Sequence, residues 1–245
     1  TAGSHFDKLY FMNELMVGSV QYTNPIQGFT NEFTMALLQD SGWYMINPQQ
    51  VVPAVWGKGL GCNFLGVRCE NWNLGNEGYY CTDSTKRMCT FNYRGKGSCI
   101  IQNYASNLGY YEHVPGKPTM GGRDNLMDYC PHVLHYNNVD GTTGNCQVES
   151  NAPSYSATWG ETYTTNSGCF DSNVIKNGYT KDTSSTRCFQ FSCEDAILHI
   201  KVKHDTGVTT VDCPFADESA TRLERFPDSV DMSHVPNTVI ERCVA

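Results

Sequence analysis

The chain is 245 residues long, 40% hydrophobic and 12% aromatic, which suits a globular protein of one or two domains with full cores. Its 17 Lys and Arg face 25 Asp and Glu, a net charge of −8, so no basic stripe exists to neutralise phosphates; nucleic acid and anionic membrane surfaces are not expected partners. No apolar run approaches the roughly 20 residues of a membrane helix, and no charged n-region with an apolar core opens the chain, so export is expected to be directed by sequence not included in it.

Twelve cysteines among abundant Gly, Tyr, Asn, Ser and Thr point to a disulfide-framed, loop-rich protein matured in an oxidising compartment. Zinc ribbons need Cys-x-x-Cys pairs, and none occurs; the closest spacing is Cys188 to Cys193. No Asn-x-Ser/Thr sequon is present, so N-glycosylation is not expected.

Residues 1–29 are predicted to be irregular, punctuated by Gly3, Gly18, Pro25 and Gly28. Within them His5 is followed eleven residues later by Met16 in Glu-Leu-Met-Val-Gly, and Asp7 and Glu14 lie between. The two acids are expected to be solvated surface charges, with hydrogen bonding to the nearby histidine as the alternative.

Thr30–Ser41 is the clearest helix. Thr30 is its expected cap, Glu32 sits in the first turn, Phe33, Ala36 and Leu37 share a face, and Gly42 follows as a C′ residue. Met35 and Leu38 broaden that face, which predicts burial on more than one side. The Gly-rich run Trp56–Gly61 lacks the spacing of either nucleotide-phosphate loop and reads as a flexible approach to Cys62.

From Cys69 the texture changes, with four cysteines by Cys99 and little aliphatic sequence between them. We therefore place a domain boundary there, giving segments 1–68 and 69–245. A short helical turn is expected over Asp124–Tyr129, with Leu126 and Met127 inward. His132 and His135 would share one face of a helix opened by Pro131 and read as surface or structural residues, because no third ligand accompanies them. Residues 137–187 are turn-dominated, and Ala196–His204, an Asp205-Thr206-Gly207 turn and Val208–Val211 predict a hairpin with one wet face. His199 and His204, an odd number apart, belong to opposite faces. Asp217–Asp231 reads as a solvated loop.

The wording around His5 and Met16 resembles the leishmanolysin-like zinc metallopeptidases of the metzincin group. There a His-Glu-x-x-His helix supplies two ligands, a later histidine the third, and a Met-containing turn lies beneath the metal. The resemblance continues through Phe33–Tyr44, Trp56-Gly57, Gly61-Cys62 and Met127-Asp128-Tyr129-Cys130-Pro131, and thins after about residue 195. It implies an α+β fold in which the end of a catalytic domain is followed by a disulfide-rich, loop- and β-rich domain.

It also implies that His5 is the third zinc ligand and Met16 the Met-turn residue. None of the seven histidines begins a His-Glu-x-x-His, so the other ligands and the general base are expected from an N-terminal half of the same protein, and no catalytic residue is assigned here. The chain is then not active alone. Its expected partners are that half, protein or peptide substrates and extracellular assembly partners, and its place is outside the cell or on its surface.

By the same resemblance the disulfides are Cys69 with Cys130, Cys81 with Cys99, Cys89 with Cys169, Cys146 with Cys188, and Cys213 with Cys243. Cys62 and Cys193 then have partners outside the chain. Val17-Gly18 stands where the family commonly has Ala-Pro, which keeps a second reading open: an extracellular structural or adhesion protein with the peptidase fold and no activity.

Overall fold

A computed structural model of the chain describes residues 4–12, 14–19, 31–51, 54–58, 60–72, 78–172, 186–195 and 197–214. Together these form an α+β, strand-rich fold. They belong to two compact units that interleave along the sequence. The first comprises Thr1–Gly75, Tyr79–Thr82 and Ile100–His132, and the second Asn76–Gly78, Asp83–Cys99 and Val133–Ala245. After first leaving the first unit past Gly75, the chain returns to it twice.

In the first unit, helix α1 spans Glu32–Asp40 and is capped by Asn31, whose side chain accepts from the Phe33 amide at 3.0 Å; the cap is one residue later than expected. Gly42, at φ +70°, takes the left-handed position expected of it. The expected burial is not found. Thr34 is the buried residue of the helix, while Phe33 is 45% and Leu37 58% exposed. A broad apolar pattern marks a face able to pack and does not say that a neighbour is present.

A five-residue helix, α2 at Cys62–Gly66, was not foreseen. It places Phe64 in a ring cluster, stacked on Trp72 at 4.6 Å and edge-on to Trp56 at 6.0 Å. Trp56 is therefore a buried anchor, its indole N–H donating to the Leu9 carbonyl at 2.8 Å, and the segment it opens is not a loose approach.

The second unit holds two sheets. Strands β1 (Arg87–Cys89) and β2 (Lys96–Cys99) pair antiparallel. The first unit contributes the hairpin of β3 (Ile101–Asn103) with β4 (Met120–Gly122), and β5 (Val133–His135) joins β2 in the second.

The last four strands, β6 (Ser167–Asp171), β7 (Thr186–Glu194), β8 (Ile197–His204) and β9 (Gly207–Pro214), form an antiparallel sheet in sequence order. Phe170, Phe189, Leu198, Ile200, Val202 and Val211 fill its core. The β8–β9 hairpin is the one foreseen. His199 faces Asp212 across it at 2.6 Å, and His204, on the other face, bonds Thr206 and Thr209.

His132 and His135 are not on a helix. They flank and end β5, and both are buried, so the surface reading of them is corrected. Pro131 carries the chain into the strand, and its carbonyl accepts from the Cys81 amide. Asp124–Met127 forms the expected short turn, capped by Asp124, with Met127 buried. The acidic stretch 217–231 and Cys243 lie outside the described residues.

Disulfides join Cys69 to Cys130, Cys89 to Cys169 and Cys146 to Cys188, at sequence separations of 61, 80 and 42. Closing loops of that length removes about 4 kcal/mol each of unfolded-chain entropy. Cys81 and Cys99 are each disulfide-bonded as well.

Two expectations fail. Cys213 is a free thiol, so it does not bond Cys243, and Cys193 is already disulfide-bonded, so no partner outside the chain is required for it. The register also keeps the two from bonding each other: Cys193 on β7 and Cys213 on β9 both stand opposite Leu198, roughly 10 Å apart and beyond the ~7 Å bridging limit. Cys213 packs against the buried cluster, and that burial, with Asp212 beside it, pushes its thiol pKa up.

Candidate metal-ligand loop

The loop that carries His5 is closed at its neck. The Phe6 amide donates to the Met16 carbonyl at 2.9 Å, and Phe6 pairs with Val17 as an isolated parallel bridge. Between these ends the backbone winds tightly. Asp7 accepts from the Leu9 amide through its side chain and from Tyr10 and Phe11 through its carbonyl, and Glu14 donates back to Phe11. Met12 and Leu9 point inward while Met16 is 41% exposed. The sequence-predicted pair is thus brought to one place, His5 next to the neck and Met16 forming its other side.

Three anchors hold the loop within its unit. Lys8, buried, reaches Asp124 at 2.6 Å and the Ser19 hydroxyl at 2.9 Å. The rings of Phe6, Phe11 and Phe33 pack in series at 5.0 and 4.9 Å.

Glu14, also buried, accepts from the Thr34 hydroxyl at 2.6 Å and the Thr34 amide at 3.3 Å in the first turn of α1, and from the Leu15 amide at 2.7 Å. Glu14 is therefore neither a solvated charge nor a partner of His5. It fastens the Met16 turn to the helix, a role the sequence hid because its partner lies twenty residues on. Asp7 is exposed, as expected.

His5 itself is exposed. Its Nδ1 lies 3.0 Å from the Ser4 hydroxyl, and among the described residues Nε2 has no hydrogen-bond partner. That state suits a zinc ligand, since a metal-bound imidazole donates its other ring N–H to an oxygen and keeps one nitrogen open. His5 and its loop therefore fit one position of a zinc site.

Carboxyl and phenol groups lie nearby. Burial, then the Asp7 charge, raises the Asp128 pKa, and burial followed by Asp7 and Asp128 raises that of Tyr10. Asp128 and Tyr129 both take left-handed backbone, at φ +51° and +59°, in the Met127–Pro131 segment that carries part of the resemblance.

A second cluster with metal-ligand chemistry, Cys69, Glu70 and His113, does not hold a metal. The Cys69 sulfur is bonded to Cys130, Glu70 pairs with Arg68 at 2.8 Å, and both His113 nitrogens are engaged, by Glu70 at 2.5 Å and the Asp128 carbonyl at 2.9 Å.

Comparison with known proteins agrees with this arrangement. The leishmanolysin family model (peptidase M8) matches residues 1–229. The leishmanolysin-like peptidase of Drosophila melanogaster is 28% identical over 234 residues, covering 82% of this chain and 34% of that protein. Leishmanolysin of Leishmania tropica is 31% identical over 156 residues, 62% of this chain and 22% of its own length. The ciliated left-right organizer metallopeptidase of Danio rerio is 27% identical over 216 residues, 86% and 29% respectively. The chain thus spans about a fifth to a third of the length of the curated relatives it matches.

Proposed function

The chain belongs to the leishmanolysin family of zinc-dependent metallopeptidases, and on that premise we propose that it is part of a secreted or cell-surface endopeptidase in which His5 is one of three zinc-binding imidazoles. The other two, with a glutamate base, come from polypeptide carrying the His-Glu-x-x-His helix that this sequence lacks. The observation that carries the reading is the open Nε2 of an exposed His5 beside a neck tied to Met16.

Zinc held by three imidazoles supplies Lewis-acid activation of water near neutral pH. This chain's share is positional. Ser4 fixes the His5 ring, the Phe6–Met16 bond sets where that ring emerges, and Glu14 and Lys8 fasten the loop to α1 and to the Asp124 turn. Met16 shapes the apolar side of the site without binding metal. Its substrates are proteins or peptides, and the disulfide frame suits an oxidising, extracellular location.

The test is zinc content and chelator-sensitive cleavage of casein by the whole protein, with and without His5→Ala. Zinc and cleavage both lost in the variant support the reading. An intact protein without zinc would instead favour the non-catalytic extracellular scaffold that Val17-Gly18 leaves open.

A further inference from the structure

The second unit contains a cleft of about 730 Å³ to which the peptidase reading gives no role. Its wall is polar and aromatic, and among the described residues only Ala152 and Pro153 bring small aliphatic surface to it, so an aliphatic ligand would find little to pack against.

Two guanidinium groups line the cleft, each laid on a ring: Arg87 over Tyr136 at 4.4 Å and Arg187 over Trp159 at 4.1 Å. Stacking uses the flat face of a guanidinium and leaves its N–H edge for an acceptor in the same plane. Arg87 is exposed and has no carboxylate at ion-pair distance among the described residues, in a chain of net charge −8.

The other charges of the wall are committed. Lys96 is paired with Glu161 at 2.9 Å, and Glu161 also accepts the Cys188 amide. Asp140 holds the Thr142 amide and hydroxyl at 3.0 and 2.7 Å. Among the described residues the lining holds three cations and two carboxylates, whose formal sum is positive. Tyr155, 60% exposed, offers an open ring face at the same cleft.

A cation with a free edge, an uncovered aromatic face and hydroxyl- and amide-bearing walls match one ligand class better than any other. We propose that this cleft binds an anionic sugar residue, with Arg87 receiving its carboxylate or sulfate and Tyr155 lying against its ring. The carboxylate or sulfate takes paired, charge-assisted hydrogen bonds from the guanidinium. The hydroxyls meet the polar wall, and the C–H face of the ring meets the phenol ring. This inference does not depend on zinc at His5.

The experiment titrates the full chain with glucuronate, glucose 6-sulfate, glucose and acetate, followed by NMR shifts. The proposal expects saturable binding of the two acidic sugars, with glucose and acetate weaker by at least about tenfold. Arg87→Gln and Tyr155→Ala each weaken the acidic sugars by about tenfold or more, while thermal unfolding stays that of the parent because both side chains are exposed. Glucuronate bound while glucose 6-sulfate is not identifies the carboxylate as the preferred anion, and the reverse identifies the sulfate; either supports the proposal. No saturable binding of either acidic sugar, acetate binding as tightly as glucuronate, or indifference to both substitutions would overturn it.

Discussion

The amide of Phe6 and the carbonyl of Met16 meet at 2.9 Å, so one hydrogen bond closes the nine residues between them into a loop. That bond sets His5 beside the Met16 turn. The two methionines of the loop then have opposite roles, Met12 fully buried and Met16 41% exposed. Met12→Ala is expected to cost about 2–5 kcal/mol and Met16→Ala less than about 1 kcal/mol, measured by denaturant unfolding of the chain. Equal losses would mean that Met16 is core filler.

Glu14→Ala removes an acceptor shared by the Thr34 hydroxyl and the amides of Thr34 and Leu15. Buried donors left unpaired cost about 1–3 kcal/mol, and the same unfolding assay should show a loss in that range. A neutral result would place Glu14 in solvent.

Lys8 and Asp124 form an ion pair with the lysine buried. Lys8→Met alone removes the cation from the Asp124 carboxylate and should destabilise by about 3–5 kcal/mol, whereas adding Asp124→Asn, which keeps an acceptor for the Leu126 amide, should recover part of that loss. A double-mutant cycle showing simple additivity would contradict the pairing.

The His132 imidazole is fully buried, and desolvation holds its pKa down to about 4 despite the opposing hydrogen bond to the Cys130 carbonyl. The unfolded chain has the ordinary value of 6.5. The folded form therefore resists protonation more than the unfolded one. Stability is complete above about pH 6.5 and falls as pH drops from there to about 4, by about 3 kcal/mol in all from this residue. His132→Asn, which cannot titrate, should flatten that window in unfolding measurements at a series of pH values. An unchanged slope would assign the acid sensitivity elsewhere.

Cys62 and Cys213 are the free thiols among the described cysteines, exposed and half-buried respectively. Alkylation without reductant should label Cys62 quickly, Cys213 slowly and Cys193 not at all. Labelling of Cys193 with protection of Cys213 would restore the pairing that the resemblance implied.

What could be read in advance follows from how far apart the causes lie in sequence. The capped helix ending at Gly42 and the β8–β9 hairpin depend on neighbours a few residues away, and both were visible in local pattern. Glu14 looked like surface charge because Thr34 is twenty residues on. His132 and His135 looked helical because a Pro-His-x-x-His spacing says nothing of the strand β2 that pairs with Val133–His135. The free Cys213 and the bonded Cys193 could not be told apart from sequence, because disulfide partners lie far apart along the chain. His5 and Met16 were legible as a pair because both belong to one local loop.

The central claim is tested most directly by zinc stoichiometry of the whole protein, His-Glu-x-x-His helix included, before and after His5→Ala. About one zinc per protein is expected in the parent, with affinity reduced by at least about 100-fold in the variant and peptide cleavage lost with it. Zinc retained at parental affinity in His5→Ala, with cleavage intact, would contradict the account.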